Sequence, residues 1–286
     1  MALSVAVLGA TGRQGGAVVN ALLHAGQRVR AVVRDPAAPR ARALTDRGVA
    51  AVPGDLLDEA SLAAALEGAD AAFAVTTPFE DGPQAEVDQG TAILGAAARV
   101  QLPHLVLASV ASADRDTGVP HFESKQRIEA LLSRSEVPWT VVAPTYFYDN
   151  MLGDRDSLLT GRLPLPLPPD RPLQQLARED LGALVTAVVA DRTRHLGKRV
   201  EVASQAITPA QMATALEHVL GRPVRPVQVS LGSVHANSAD MGAMWDFLNA
   251  EGYSVDIPAL HAAYPDIAWT TFEDWACTLS QWFTTS

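Results

Sequence analysis

The stretch Gly9-Ala10-Thr11-Gly12-Arg13-Gln14-Gly15-Gly16 decides the fold class. It follows an apolar run, Leu3–Leu8, and opens a helical pattern over residues 12–25. Phosphate oxygens at a helix start are held by backbone N–H groups, and a β-carbon there would block their approach. Glycine at 9, 12 and 15 removes that obstacle at the turn, at the phosphates and at the helix–strand contact. An isolated glycine triplet says little. Here a second strand, Arg28–Val33, closes a strand–helix–strand unit within about 30 residues, the setting in which the motif binds a dinucleotide.

Outward from the loop the same rhythm continues. Val49–Val52, Ala71–Val75, His104–Ala108 and Trp139–Ala143 are further apolar runs, as continuous as strands covered on both faces. Helices are predicted near 37–46, 58–67, 84–99 and 120–134. Gly26 closes the first helix, Asp58 opens a later one, and Pro120 suits a first-turn position. This alternation predicts an α/β fold, a doubly wound parallel (Rossmann) sheet, over residues 1–153. Beyond about residue 150 the rhythm breaks. Residues 163–170, LPLPLPPD, exclude helix and predict an extended surface segment. A helix at 179–190, expected to pack back on the sheet, is followed by a strand at 199–202 and helices near 208–220, 233–251 and 271–283. Residues 154–286 thus read as a smaller α+β C-terminal substrate-binding region. Trp245, Trp269, Trp275 and Trp282 predict a small aromatic core joining this tail to the nucleotide domain.

Composition narrows the partners. At 286 residues the chain can bury a core without disulfides, and 48% hydrophobic against 19% charged residues excludes a disordered chain. A net charge of −10 argues against nucleic acid and anionic membranes. The single Cys277 fits a reducing compartment. The N-terminal run reads as a strand rather than a signal peptide, and the longest apolar stretch, Leu181–Ala190, is too short to span a bilayer. A cytoplasmic protein acting on a small molecule, as a monomer or homodimer, is expected. The seven histidines show no metal-ligand spacing, so no metal is expected. There is no G-x-S-x-G elbow and no Walker lysine.

Which dinucleotide binds is decided at the end of the second strand, Val32-Val33-Arg34-Asp35-Pro36. An NAD site usually presents an acid there to the ribose 2′-hydroxyl. Arg34 stands in that place, and a guanidinium pairs well with a 2′-phosphate. Arg13 can bracket the same phosphate. Asp35 competes, but Pro36 points to a turn that takes it away. NADP(H) is expected over NAD(H).

Several dispersed motifs, GATGRQGG (9–16), VVRDP (32–36), GDLLDEASLAAAL (54–66), HFESK (121–125), PTYFYDN (144–150), ARED (177–180) and FEDWA (272–276), resemble the NmrA-like family of atypical short-chain dehydrogenases over almost the whole chain. The resemblance implies a Rossmann domain with a small C-terminal domain. It also implies one of two functions. The family holds NADPH-using reductases of quinones and triphenylmethane dyes, with the related isoflavone reductases, and non-catalytic proteins that sense the dinucleotide. Carried over by position, it places Thr11, Gly12, Arg13 and Gln14 in the phosphate loop and Asp55 and Leu56 beside the adenine. Thr76, Thr77 and Pro78 would line the ribose and pyrophosphate, and Pro144, Thr145 and Tyr146 would meet the nicotinamide end.

Chemistry centres on Lys125, one of two lysines against twenty arginines. In that background a retained lysine suggests that a compact point donor was wanted. The resemblance matches it to the lysine of the Tyr-x-x-x-Lys pair, which holds the nicotinamide ribose. The tyrosine is missing, and His121 stands in its place, one helical turn before Lys125. Ser109 falls near the usual serine. His121 is a candidate proton donor or a pocket wall, with Tyr146 and Tyr148 as alternatives. An acceptor that tolerates negative charge, such as a quinone, enone or dye, needs no strong acid. The reading is an NADPH-dependent reductase of a small apolar or aromatic acceptor. The alternatives are a non-catalytic NADP(H)-sensing regulator and, behind it, a sugar-nucleotide epimerase or dehydratase.

Overall fold

The computed structural model describes residues 2–279. In chain order the first elements are β1 (Ser4–Leu8), α1 (Arg13–His24), β2 (Arg28–Val33), α2 (Pro39–Thr45), β3 (Ala50–Pro53), α3 (Glu59–Leu66), β4 (Ala71–Val75), α4 (Gly82–Arg99), β5 (Leu105–Ala108), α5 (Pro120–Ser133) and β6 (Trp139–Pro144). Then come β7 (Tyr146–Phe147), a 3-10 turn (Tyr148–Asp154), α6 (Arg155–Leu159), β8 (Arg162–Leu165), β9 (Leu173–Leu176), α7 (Arg178–Ala190), α8 (Arg192–His195) and β10 (Lys198–Val202). Last are β11 (Gln205–Ile207), α9 (Pro209–Leu220), β12 (Arg225–Gln228), α10 (Leu231–Asn237), α11 (Ala239–Ala250), α12 (Ile257–Ala263) and α13 (Phe272–Thr278).

Contacts divide the chain into two units. One holds residues 1–114, 121–143 and 181–201; the other holds 115–120, 144–180 and 202–286. The first is built on a seven-stranded sheet in the order β10-β6-β5-β4-β1-β2-β3. Every pairing from β3 through β6 is parallel. The order therefore reverses between β1 and β4, and the crevice at that switch is where an open α/β sheet binds ligands. This is the doubly wound α/β fold. Its strands are nearly continuous apolar runs because helices cover both faces, and β1, β4 and β5 are buried almost throughout. On one face Leu62, Leu66, Ile93, Ala97, Ile128 and Leu132 from α3, α4 and α5 pack on Ala72, Ala74, Leu105 and Leu107. Full burial of each Leu or Ile contributes about 1.5–3 kcal/mol. On α7, a β-carbon at Gly182 would stand 2.6 Å from the Ala17 carbonyl oxygen, so this helix lies tight against α1.

Local signals place the helix ends. Asp58 caps α3, accepting from the N–H groups of Ala60 and Ser61, and Arg30 reaches from β2 to the carbonyls of Ala65 and Glu67 at that helix's far end. Pro120 opens α5.

The second unit holds the three-stranded sheet β11-β9-β7 and the pair β12-β8. Three expectations change here. Residues 163–165 are extended within β8 and the chain then bends and turns, and only Pro169 and Asp170 are exposed. Leu163, Leu165 and Leu167 are all buried, because a proline–leucine alternation in an extended chain turns every leucine to one side. β8 also pairs in parallel with β12. The single helix predicted over 233–251 is two, α10 and α11. Ser238 is extended at the break, with φ −159° and ψ 115°, and its hydroxyl accepts from the Met241 N–H to start the second helix. The tryptophans are spread over separate contacts. Trp275 meets Tyr148 and Phe272, Trp245 meets Tyr146, and Trp269 stacks on His261 at 4.3 Å. Trp282 lies outside the described residues.

Candidate functional site

The turn between β1 and α1 is shaped by glycine. Gly9 adopts φ +75°, and a β-carbon there would come 2.7 Å from Val75 Cγ1. At Gly15 a β-carbon would stand 2.2 Å from the Gly9 carbonyl oxygen, so only glycine lets helix and turn close together. The Gly12 N–H donates to that same carbonyl (2.9 Å). α1 starts with no side-chain cap and no acid in its first turn. The first N–H groups of a helix have no acceptor within it, so this end offers donors and positive dipole to an anion. Gln14 adds a buried Oε1 with no hydrogen-bond partner. A helix start that glycine lets close tightly on its turn, with no cap and no acid in the first turn, fits the phosphates of a dinucleotide.

Parallel register sets Val32 opposite Leu8, so Arg34 leaves β2 at the edge where Gly9 leaves β1. Arg34 and the exposed Arg13 form no ion pair with any carboxylate among the described residues. The Asp35 carboxylate is occupied locally, accepting from the Ala37 N–H at 2.8 Å. One strand further, Asp55 is likewise turned onto its own loop, accepting from the Leu57 N–H (2.9 Å), with Leu56 half-buried beside it.

At the ends of β4 and β5 lies a charged network. Lys125 Nζ donates to Glu86 Oε1, the Thr76 carbonyl and Thr76 Oγ1, each at 2.9 Å, with the Ala108 carbonyl at 3.4 Å. Three ammonium protons thus face four protein acceptors. Glu86, fully buried, also accepts from the hydroxyls of Thr76 (3.0 Å) and Ser124 (2.5 Å). A buried ion pair survives its desolvation only when its remaining lone pairs are satisfied in this way. Gln89, one turn on along α4, accepts from the Thr77 N–H (3.1 Å) and donates back to the Thr77 carbonyl (3.4 Å). Thr76, Thr77 and Pro78 are therefore pinned from α4. His121 is buried on α5, with its ring 5.7 Å from that of Phe79 and 4.8 Å from that of Phe122.

A second network holds the loop after β5. Arg199 on β10 donates to Glu129 (2.9 Å), to Glu201 (2.7 Å) and to the Val110 carbonyl (2.8 Å), with Asp114 at 3.5 Å. Burial works against its charge, but Glu129, Glu201 and Asp114 outweigh it and hold its pKa above the usual value. Glu201 accepts from the N–H of Ser112, a residue at φ +66°. Ser109 donates its hydroxyl to Glu129.

In the second unit, Pro144 and Thr145 are buried, and Thr145 donates through N–H and hydroxyl to the Val202 carbonyl (3.0 and 3.2 Å). The Tyr146 ring lies 5.4 Å from Trp245, and burial raises its pKa, which keeps the phenol protonated. Tyr148 is a core residue, wholly buried, with its hydroxyl donating to the Thr270 carbonyl. Arg178 grips Asp149 with two bonds (2.6 and 2.5 Å), and Asp180 accepts from Ser204 and Thr270.

A model of the NmrA-like family matches residues 1–276. The chain belongs to the NmrA-like family. It is similar to the NAD(P)H azoreductase of Xenophilus azovorans, with 31% identity over 240 residues that cover 83% of this chain and 81% of that protein. Its fold matches an Escherichia coli NADPH-dependent quinone oxidoreductase solved with NADPH, at TM-score 0.82 and 24% identity over 96% of this chain and 99% of that one. It also matches NmrA, a negative transcriptional regulator solved with NADP, at TM-score 0.79 and 21% identity over 98% of this chain and 96% of the other.

Within this NmrA-like chain the motif ARED supplies Arg178 and Asp180, and PTYFYDN supplies Asp149. Their partners show that these residues tie the second unit together. Sequence reading missed Glu86, Gln89 and Arg199. Glu86 shares the buried stripe of α4 with Gly90, Ile93 and Ala97. An acid in register with an apolar stripe is the signal that marks it.

Proposed function

We propose that this chain is an NADPH-dependent reductase that passes a hydride to a small apolar or aromatic acceptor of the quinone, enone or dye type. One observation carries the reading. The glycine-lined start of α1, with its orphaned Gln14 oxygen, opens at the same sheet edge as the unpaired Arg13 and Arg34, while Asp35 is held in its own turn. Such an edge suits a dinucleotide carrying a 2′-phosphate. The bound nicotinamide supplies the hydride. The phosphates rest on the N–H groups of Arg13, Gln14 and Gly15, and the 2′-phosphate meets Arg34 and Arg13. Thr76, Thr77 and Pro78 line the ribose from a turn that α4 fixes. Lys125 sets that turn through Thr76 and Glu86. His121 is the candidate proton donor, and a quinone or extended dye delocalises the charge a hydride delivers, which lowers the demand on an acid. The part of residues 154–279 that lies outside the first unit, 154–180 and 202–279, supplies the substrate region in this reading. The test is NADPH and NADH oxidation against a panel of quinones, enones and azo dyes. NADPH turnover on at least one class is expected, and none across the panel sinks the reading.

The competing reading, a non-catalytic dinucleotide sensor, draws on a separate observation. Ser109 is committed to Glu129 and Lys125 to Glu86, so two of the polar groups expected at the reacting end already have protein partners. It predicts tight NADP(H) binding without turnover.

A further inference from the structure

Phe79 is 70% exposed, the most exposed large hydrophobic side chain among the described residues. It stands at the carboxyl end of β4, beside the switch point of the sheet, where ligands of an open α/β sheet bind. Its turn is held firmly. Glu86 and Lys125 fix Thr76, Gln89 takes both backbone groups of Thr77, the Phe79 N–H donates to Thr77 Oγ1 (3.4 Å), and the Gly82 N–H closes on the Pro78 carbonyl (2.8 Å). A buried network thus ends in a displayed aromatic ring. That ring tilts 53° over His121, whose own ring meets the buried Phe122 edge-on. The three form a ladder from solvent to core. Glu80, Asp81 and Gln84 around it are exposed and polar, and Pro83 is the one further exposed apolar neighbour, so the apolar area is little more than that of one aromatic side chain. That is roughly 150–250 Å², against about 800 Å² per partner in a stable protein interface. A ring of this size matches another ring.

We propose that Phe79, seated over the buried His121, is the aromatic ledge on which the planar face of the acceptor stacks, making Phe79 a specificity-determining residue. The choice of an acceptor as occupant rests on the reductase reading. The test separates the two. A planar naphthoquinone is titrated into the protein saturated with NADP⁺, which fills the dinucleotide place but has no hydride to give. Phe79→Ala should weaken quinone binding about 3- to 10-fold, the range of an aromatic pair contact, and leave NADP⁺ affinity unchanged. Phe79→Trp should restore it. Because Phe79 is exposed, these changes leave the core intact. Equal quinone affinity in parent and Phe79→Ala, no quinone binding at all, or an equal loss of NADP⁺ affinity overturns the ledge. NADPH oxidation by the quinone is measured beside the titration. Turnover with Phe79-independent binding keeps the reductase reading and removes the ledge. Phe79-dependent binding without turnover keeps the ledge, and the reductase reading then falls only if the rest of the acceptor panel is inert as well.

Discussion

At the carboxyl edge of the seven-stranded sheet, charged groups are paired or clustered, buried at Lys125–Glu86 and half-buried at Arg199; at its amino edge, a histidine is buried without charge. Glu86 with Lys125, and Arg199 with Glu129 and Glu201, hold the turns after β4 and β5. Beneath the same strands, His104, Thr140 and His195 form a chain of neutral hydrogen bonds. Both regions are buried polar networks in one fold. The difference is that the carboxyl edge must display loops of fixed shape to solvent, whereas the amino edge only has to close. Ion pairs fix geometry at a desolvation cost that a purely structural edge has no reason to bear.

The largest expected effect breaks the carboxyl side of this contrast. Glu86→Ala leaves the Lys125 ammonium without its counter-ion in a buried place, which costs about 3–5 kcal/mol of stability in urea unfolding. Glu86→Gln keeps the shape and one acceptor and should cost less. A loss under about 1 kcal/mol for Glu86→Ala would mean that water reaches Lys125, and the edge is then no different from an ordinary surface. Next comes Gly15→Ala. Its β-carbon would meet the Gly9 carbonyl at 2.2 Å, so backbone must shift, at a cost of about 1–3 kcal/mol and with loss of NADP⁺ binding. Unchanged nucleotide affinity in that variant would place the dinucleotide elsewhere.

Arg34→Ala sharpens the contrast at the rim. Stability should hardly move, because Arg34 is exposed and unpaired. NADP⁺ affinity should fall by roughly tenfold or more, the worth of a hydrogen bond to a charged group, while NAD⁺ affinity stays put. Equal losses for the two would remove the 2′-phosphate assignment.

What the sequence reveals follows the same division. The strands of the first unit are legible because parallel strands covered on both faces must be apolar throughout, and β2 and β4 fall on the predicted residues. The glycine loop is legible because its constraint is steric and local. Lys125 stands out through composition, but its partner lies 39 residues earlier in sequence, and no local pattern joins a helical acid to a lysine on another helix. The second unit is the least legible. β7, β9 and β11 are two to four residues long, too short for periodicity to register, and their pairing comes from distant segments. The buried leucines of 163–170 were hidden because proline-rich sequence usually marks surface.

The effect that grows only with acid tests the amino edge, and His104 carries it. Thr140 gives its hydroxyl proton to the His195 carbonyl (2.8 Å), so His104 Nε2 must be the donor in its 2.8 Å contact with Thr140 Oγ1. The bare Nδ1 is then buried with no partner. A second proton would have to sit there, unsolvated. Burial first, then the nearby charge of Arg192 and His195, pulls the His104 pKa from 6.5 to about 4. The folded form therefore refuses a proton that the unfolded chain accepts. This contribution to stability is complete above pH 6.5 and declines as pH falls toward 4, by up to about 1.4 kcal/mol per pH unit. Glutamine keeps the donor toward Thr140 but does not titrate. The stability difference between parent and His104→Gln should thus be flat above neutrality and shift against the parent between pH 6.5 and 4. A difference that stays flat through that window would mean that solvent reaches Nδ1, and the amino edge would lose the neutrality that sets it apart from the ion-paired edge above it.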